Sequence, residues 1–531
     1  MAMLAMMRLM AMRRRRRRRR RIHARNGPIA SVAARKGSPG EQDANPRGGK
    51  TTIYSGPNLP EDILHRIHSL LPLRDAARAA CVSHAFLNSW RCRPNLYFSM
   101  EALGLKGILY GNDQIARGFT RNVDQILKKH PGTGLKTFGL AMNDCSTVKS
   151  CHIDSWLQFA LTSGTEELNL AFASSGMAPM YNFPCSLLSG DSGNSIRCLR
   201  LSFCAFRLTA RLCLRNLKRL HLYWVNITGD ELGCLLCNSF ALEQLELIYC
   251  MEIICLKIPR LLLRLSYLKV FSLASLQVIE SEAPNLSSFV FANFNHRHIQ
   301  LSLGEALQVK KLDMSCSCAI YYAREDLPTM VPNLETLCID SHYETVNTAM
   351  VPSKLRHLKY LDIRLPGPKP EYRPDYDYFS LVSFLDASPS LETFILRIHV
   401  PEVRVEHGLF SGDPSHLLQM PGHHHDNLKR VTIAGFYPAK SLLELACYVL
   451  QCTTSLECLT LGTSYCSCWR HDSDPGKCFL LAIRTYFKGK VPSTARLDVQ
   501  GPCSGVVVDF RRQGTITVFK GESLDGLSSV P

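Results

Sequence analysis

The sequence predicts an α/β chain in which a short three-helix module precedes an irregular solenoid whose repeats build one parallel sheet. Three observations carry this expectation. One hexapeptide form, apolar-x-x-apolar-x-apolar, recurs thirteen times between residues 135 and 461. Residues 58–98 hold three short segments of helical apolar spacing. Most of the excess positive charge lies at the start of the chain, which leaves the rest nearly balanced like an ordinary folded protein.

The tail comes first. The chain has 531 residues and a formal charge of +17. Residues 1–50 hold thirteen arginines and two lysines against Glu41 and Asp43, so only four of the seventeen excess charges belong to the remaining 481 residues. A broad basic face for nucleic acid is therefore not expected on the folded part. Nine consecutive arginines, Arg13 to Arg21, repel one another and predict disorder, with four readings open: a nuclear-import signal, a weak RNA contact, an organelle transit segment or, as readily as all of these, an unselected extension ahead of the domain. "ANPRGGKT" at 44–51 fits the loose form of a phosphate-binding loop. Such a loop needs a buried strand before it and a helix after it, and "GSPGEQD" and "TIYSGPNLP" supply neither. No apolar run is long enough to span a membrane. The 22 cysteines follow no secretory leader, so they read as free thiols and small core residues. The sequons at Asn226 and Asn285 fall in expected strand or strand-exit positions and carry no glycan signal in a nuclear or cytoplasmic chain, the expected location.

"NLPEDILHRIHSLLPLRDAARAACVSHAFLNSW" gives the helical module. Asn58 with Glu61 predicts an N-terminal capping pair, and Pro60 falls in the first turn, where its missing N–H costs nothing. Ile63, Leu64, Ile67, Leu70 and Leu71 share one face, and Pro72 stops the helix. Asp75–Ala80 and the Val82, Phe86, Trp90 spacing predict the second and third helices. About forty residues bury too little apolar surface to stand alone, so the module calls for a partner.

The repeats follow as "LKTFGL" at 135, "TEELNL" at 165, "IRCLRL" at 196, "LKRLHL" at 217 and "LEQLEL" at 242. "LKVFSL" at 268, "LSSFVF" at 286, "VKKLDM" at 309 and "LETLCI" at 334 continue the series, and "LKYLDI" at 358, "LETFIL" at 391, "LKRVTI" at 428 and "LECLTL" at 456 end it. Intervals of 18 to 37 residues give each unit one strand and a return segment. Positions one, four and six face a continuous core, and three and five project from the opposite face of the sheet. That face carries Arg219, His221, Gln244, Glu246, Lys311, Asp313, Tyr360, Asp362, Arg430 and Thr432, with Val290 and Ile395 among them. Mixed charge suits a protein ligand better than a phosphate backbone, which would want one sign throughout.

The module resembles an F-box, the element by which substrate receptors dock on a Skp-type adaptor of a cullin–RING ubiquitin ligase; Phe86 stands where that family often has tryptophan. The resemblance implies that Leu59, Pro60, Ile63, Leu64, Ile67, Pro72, Val82 and Trp90 form the adaptor interface or its support. Trp90 and Leu71 are equally readable as internal core. Followed by such repeats, the whole is similar to plant F-box/leucine-rich-repeat proteins. What this implies is a substrate-recognition subunit of a Skp–cullin–F-box ligase: a non-catalytic receptor with no cofactor, a Skp-type adaptor and through it a cullin as partners, and an unknown protein substrate. The alternatives are a scaffold acting through the arginine tail and a nucleotide-binding leucine-rich-repeat receptor, for which the 134 residues before the first repeat leave no room.

These readings divide the chain into an Arg-rich tail (1–51), F-box (52–100), helical linker and cap (101–133), repeats (134–465) and a C-terminal cap and tail (466–531). Ile115, Phe119, Val123 and Ile126–Leu127 predict the linker helix, placed as a cap on the open end of the array. Two strand-like stretches after residue 493 are expected to close the other end. Long insertions are expected at 366–390 and 401–427, and "PGPKPEYRPDYDYF" at 366–379 is equally a substrate-touching insertion and a stiff surface loop. Cys466, Cys468 and His471, Cys316 with Cys318, and the histidines at 423–425 fall short of a zinc set, the last reading as a solvated loop. No hydrolase or dinucleotide motif occurs.

Overall fold

The computed structural model describes residues 60–81, 84–105, 112–142, 147–172, 180–208, 212, 214–295, 299–304, 307–342, 344, 355–366, 376–399, 410, 412–417, 424–462, 482–487, 489–500, 506–509 and 517–520. The arginine tail, the 44–51 match, Leu59, Val82, residues 367–375 and Cys466 to His471 lie outside them.

Three helices open the described chain: α1 (Glu61–Leu70), α2 (Leu73–Ala80) and α3 (His84–Arg91). Pro60 is itself the N-cap of α1 rather than a first-turn residue, and among the described residues, which exclude Asn58, no side chain caps the helix; Glu61 and Asp62 face the positive end of its dipole. Leu71 turns extended, as the residue before a proline must, and Pro72 caps α2, which starts two residues earlier than its alanines indicate.

One sheet of fifteen parallel strands follows. It begins with β1 (Asn95–Ser99), β2 (Thr137–Ala141), β3 (Glu167–Ala171), β4 (Cys198–Ser202) and β5 (Arg219–Tyr223). β6 (Gln244–Ile248), β7 (Tyr267–Phe271), β8 (Ser288–Ala292), β9 (Lys311–Ser317) and β10 (Thr336–His342) continue it. β11 (Tyr360–Pro366), β12 (Thr393–His399), β13 (Arg430–Ala434), β14 (Cys458–Gly462) and β15 (Arg496–Gln500) complete it in chain order. Strand interiors alternate buried and partly exposed, with leucines such as Leu220, Leu245 and Leu337 fully enclosed. Each such side chain contributes about 1.5–3 kcal/mol by leaving water.

Twelve of the thirteen hexapeptides start two residues before their strand, as position one requires. The exception is "LKVFSL" at 268. β7 uses Leu265, Leu268 and Val270 as its core triplet, so the true unit is "LSYLKV", three residues earlier. Both frames satisfy the pattern, and only the parallel register Leu245–Leu268–Phe289 decides between them. The sheet also extends one strand beyond each end of the series. β1 lies inside the segment read as F-box and pairs with β2, Leu96 opposite Phe138. The linker helix α4 (Asn112–Lys129) therefore returns the chain from β1 to β2 instead of capping an open end, with Phe119 packed on Trp156 of α5 (Ser150–Thr162). At the far end β15 pairs with β14, and an antiparallel hairpin (Val506–Asp509, Thr517–Lys520) follows.

Helical returns occur towards both ends of the array, as in α6 (Gly229–Leu236), α7 (Ala319–Glu325), α8 (Val382–Ala387) and α9 (Lys440–Cys452), although Tyr181–Asn182 and Cys204–Ala205 pair as short extended returns before α6. Between α6 and α7 the returns are extended. Cys255–Ile258, Val278–Ser281 and Gln300–Ser302 form a second parallel sheet of three strands. The repeats opening at Leu242, Leu265 and Leu286 run only 21 to 23 residues, too short for a helix plus two turns. The 366–390 insertion is partly such a return, because a 3₁₀ turn (Tyr378–Leu381) and α8 fill it.

Two side-chain ladders fix the stacking. Position two pairs opposite charges across several neighbouring repeats: Arg197–Glu166 (3.5 Å), Lys218–Glu243 (2.9 Å), Lys310–Glu335 (3.1 Å), Lys359–Glu335 (3.5 Å) and Lys429–Glu392 (3.7 Å). Exposed pairs of this kind contribute little each. Asn216, Asn285, Asn333 and Asn427 each precede a position-one leucine and donate Nδ2–H to the preceding repeat's turn, at 2.8–2.9 Å. Asn285 thus lies in a turn before β8, not in a strand or at its exit.

Candidate functional site: an exposed helix face and a mixed-charge sheet face

α1 has two unlike sides. His68 is buried and donates Nε2–H to the Ala76 carbonyl at 2.9 Å, while its ring stacks on Phe86 and meets Trp90 edge-on. Burial lowers its pKa and the nearby Arg93 charge adds to that, against the bond to the Ala76 carbonyl. The C-terminal carbonyls of α1 are collected by Arg93. Its Nη1 donates to His68 O (3.0 Å), Nη2 to Ser69 O (3.3 Å) and Leu71 O (2.6 Å), and Nε to Asn95 O at the start of β1 (3.1 Å). A buried guanidinium placed there satisfies orphan acceptors and faces the negative end of the helix dipole. His130, beyond α4, donates Nε2–H to the Arg93 carbonyl (2.9 Å) and accepts from Gly132 N–H at Nδ1 (3.0 Å). One side of the helical module is thereby fastened to the first repeat.

The other side is bare. Ile63, Ile67 and Leu70 lie on one stripe and are 42%, 40% and 71% exposed. Pro60 and Pro72 are exposed at its two ends. Trp90 is half-buried and packs against the core together with the buried Leu73, so it supports the module from inside. Leu71 is half-buried as well. Nothing is described for the Leu64 side chain.

On the sheet face, Arg219 reaches across the small Cys198 to Glu167 two strands away (2.8 Å). His221 Nδ1 meets Glu246 Oε2 at 3.2 Å, but burial outweighs that carboxylate and lowers the His221 pKa. Lys311 and Arg430 are exposed, and Tyr360 and Thr432 are half-exposed. Asp313 projects from β9; partial desolvation raises its pKa, with Asp340 and Asp362 adding to the rise against Arg364. Asp362 departs from expectation: it is 3% exposed, covered by Arg397, whose Nε donates to both carboxylate oxygens (3.0 and 3.2 Å), and by Arg364 at 3.7 Å. Arg364 and Arg397 present the accessible charge in its place.

An aromatic edge runs beside this face, one residue past the strand ends. Phe203, Trp224 and Tyr249 hold positive φ of 53–57° and stack in sequence at 6.0 and 4.8 Å. Tyr223, Phe271 and Phe294 join them by edge contacts. Sequence reading passed over these residues because they lie outside positions three and five; an aromatic two places after position six in three consecutive repeats was the available signal.

Several suspected loop features are structural. Tyr378 is buried core, so the 366–379 stretch is not wholly an exposed loop. His425 is buried rather than solvated, within 3.1 Å of the Tyr448 hydroxyl and 3.4 Å of Asp386. Cys185, Cys198, Cys204 and Cys250 are buried free thiols. Among the described residues no three His, Cys, Asp or Glu side chains are placed to hold a metal, and no helix is long and apolar enough to cross a membrane.

The helix face and the repeat face match known families in the same order. The F-box domain model matches residues 57–96, and the leucine-rich-repeat family described as "At1g61320/AtMIF1, LRR domain" matches residues 126–504. The chain belongs to the plant F-box/leucine-rich-repeat proteins. It is 24% identical over 458 residues to the putative F-box/FBD/LRR-repeat protein At5g56810 of Arabidopsis thaliana, covering 82% of this chain and 94% of that protein. The putative F-box/LRR-repeat protein At5g02930 of the same plant is 23% identical over 249 residues, 47% of each chain. The F-box/FBD/LRR-repeat protein At2g04230, also from Arabidopsis thaliana, is 28% identical over 196 residues, 35% of this chain and 41% of its own. β1 lies ahead of the residues that the repeat family covers, so F-box and solenoid share a boundary strand in this F-box/leucine-rich-repeat chain.

Proposed function

We propose that this chain is the substrate-recognition subunit of a Skp–cullin–F-box ubiquitin ligase, docking a Skp-type adaptor through α1 and a protein substrate through the sheet face. The observation that carries the reading is the bare stripe Ile63–Ile67–Leu70 on a helix whose opposite side is fully committed to Arg93, His68 and the first repeat. An apolar stripe that the chain leaves in water, on a module of F-box sequence, calls for a second protein. The receptor contributes no nucleophile. Its effect is proximity, raising the effective concentration of a substrate lysine near a ubiquitin-charged enzyme. Mixed charges from Arg219, Glu246, Lys311, Asp313, Arg364, Arg397 and Arg430 give the substrate face selectivity and orientation.

Co-purification of the full chain with a Skp-type adaptor, followed by cullin-dependent ubiquitin transfer, tests this. The wild type is expected to bring down adaptor and cullin, and Ile63→Glu with Ile67→Glu to bring down neither. Full adaptor recovery by the double variant would refute the interface.

A further inference from the structure

The solenoid contains a cavity of about 90 Å³ where its extended returns give way to helical ones. Leu301 of the last extended return, Gln300–Ser302, lines it together with Tyr321 and Tyr322 of α7. A strand needs roughly 4.8 Å of spacing and a helix about 10 Å, so the two returns do not meet flush and leave a gap. Ile279, Phe291, Met314 and Asp326 are among its other lining residues.

Among the described residues one polar atom inside, Asn293 Nδ2, has no acceptor. Asn293, at the place that Phe203, Trp224 and Tyr249 occupy in earlier repeats, is turned inward and only 2% exposed. Its Oδ1 accepts the Asn295 N–H at 3.2 Å, which fixes the amide orientation and leaves Nδ2 as a donor. A buried amide donor left unpaired is costly, so an occupant offering an acceptor would be held by more than its shape. Burial pushes the Cys316 thiol in the same wall up to about 12, so it stays neutral. Among the described residues no basic side chain lines the cavity, and Asp326 lines it, which disfavours an anion.

We propose that this cavity is a binding site for a small neutral, largely apolar molecule carrying one carbonyl oxygen, with Asn293 Nδ2–H as the donor to that oxygen. This goes beyond the receptor role and does not depend on it. Occupancy would brace the junction between the two kinds of return beside the aromatic edge.

The test is saturation-transfer NMR on the full chain with cyclopentanone, cyclopentane and cyclopentanecarboxylate. The ketone is expected to bind at least tenfold more tightly than the hydrocarbon, and the carboxylate not at all. Asn293→Leu should erase the preference for the ketone, and Leu301→Trp, filling the space, should abolish binding of both neutral probes. No ketone binding by folded wild type, equal affinity for ketone and hydrocarbon, or ketone binding undiminished by Leu301→Trp would overturn the proposal. The selectivity of the wild type alone decides the matter if a variant fails to fold.

Discussion

The apolar residues of α1 and those of the parallel strands obey the same arithmetic of spacing but meet opposite fates. In the strands, positions four and six are enclosed by the next repeat on either side, as with Leu245 between Leu220 and Leu268. In α1, one side is locked by His68 and Arg93, while Ile63, Ile67 and Leu70 face water. A repeat array supplies its own neighbours. A helix at the front of such an array has a neighbour on one side only, and its other side is available for a different protein.

The comparison would break most visibly on stability. Phe394→Ala in β12 removes a fully enclosed ring and is expected to cost about 3–5 kcal/mol in chemical denaturation. Ile67→Ala on the exposed stripe should change it by no more than about 0.5 kcal/mol. Equal costs would mean that the stripe is covered in solution.

Arg93→Ala sharpens the contrast within the module. It strips the α1 carbonyls of a charged donor and is expected to cost about 1.5–3 kcal/mol. Hydrogen exchange should speed up across residues 61–70, while β5 to β8 stay protected. Uniform loss of protection would show that the fastening serves the whole solenoid instead.

The smallest effect concerns the ion ladder. The Lys310 ammonium, hydrogen-bonded to Glu335 and aided by Lys359, holds that carboxyl below the usual glutamate range. A depressed carboxylate pKa stabilises the fold above the unfolded value, about pH 4.3, and the contribution is lost as pH falls through the lowered folded value. Glu335→Gln should therefore lower the melting temperature slightly at pH 7, and the difference from wild type should vanish on acidification. A pH-independent difference would assign Glu335 a role unrelated to its charge.

Much of this fold was legible because the repeat core obeys a local rule. Leu220, Leu245 and Phe394 reveal themselves by spacing within six residues. The slip at Leu268 shows the limit of such a rule. Val270 and Leu273 both occupy apolar frames, and only pairing with strands twenty-odd residues away selects one of them. β1 was hidden for a related reason: Leu96 and Phe98 alternate correctly, but "RPNLYFSM" follows the helical module without a position-one leucine to announce a repeat. Of the site residues, the stripe Ile63–Ile67 could be read from helical periodicity. Arg93 and His68 could not, because their roles depend on carbonyls brought to them by folding. Asp362 misled because alternation reports which face a side chain leaves from, not whether an arginine from the next strand then covers it.

One side of α1 is complete and the other is left exposed. Calorimetric titration of a Skp-type adaptor into the full wild-type chain and into the Ile63→Glu, Ile67→Glu variant, with melting temperatures measured on the same samples, tests this most directly. The expected result is a loss of affinity of about 100-fold or more with an unchanged melting temperature, since two central apolar anchors are removed from an interface but none from the core. Unchanged affinity, or a melting temperature that falls as far as that of a core variant, would contradict it.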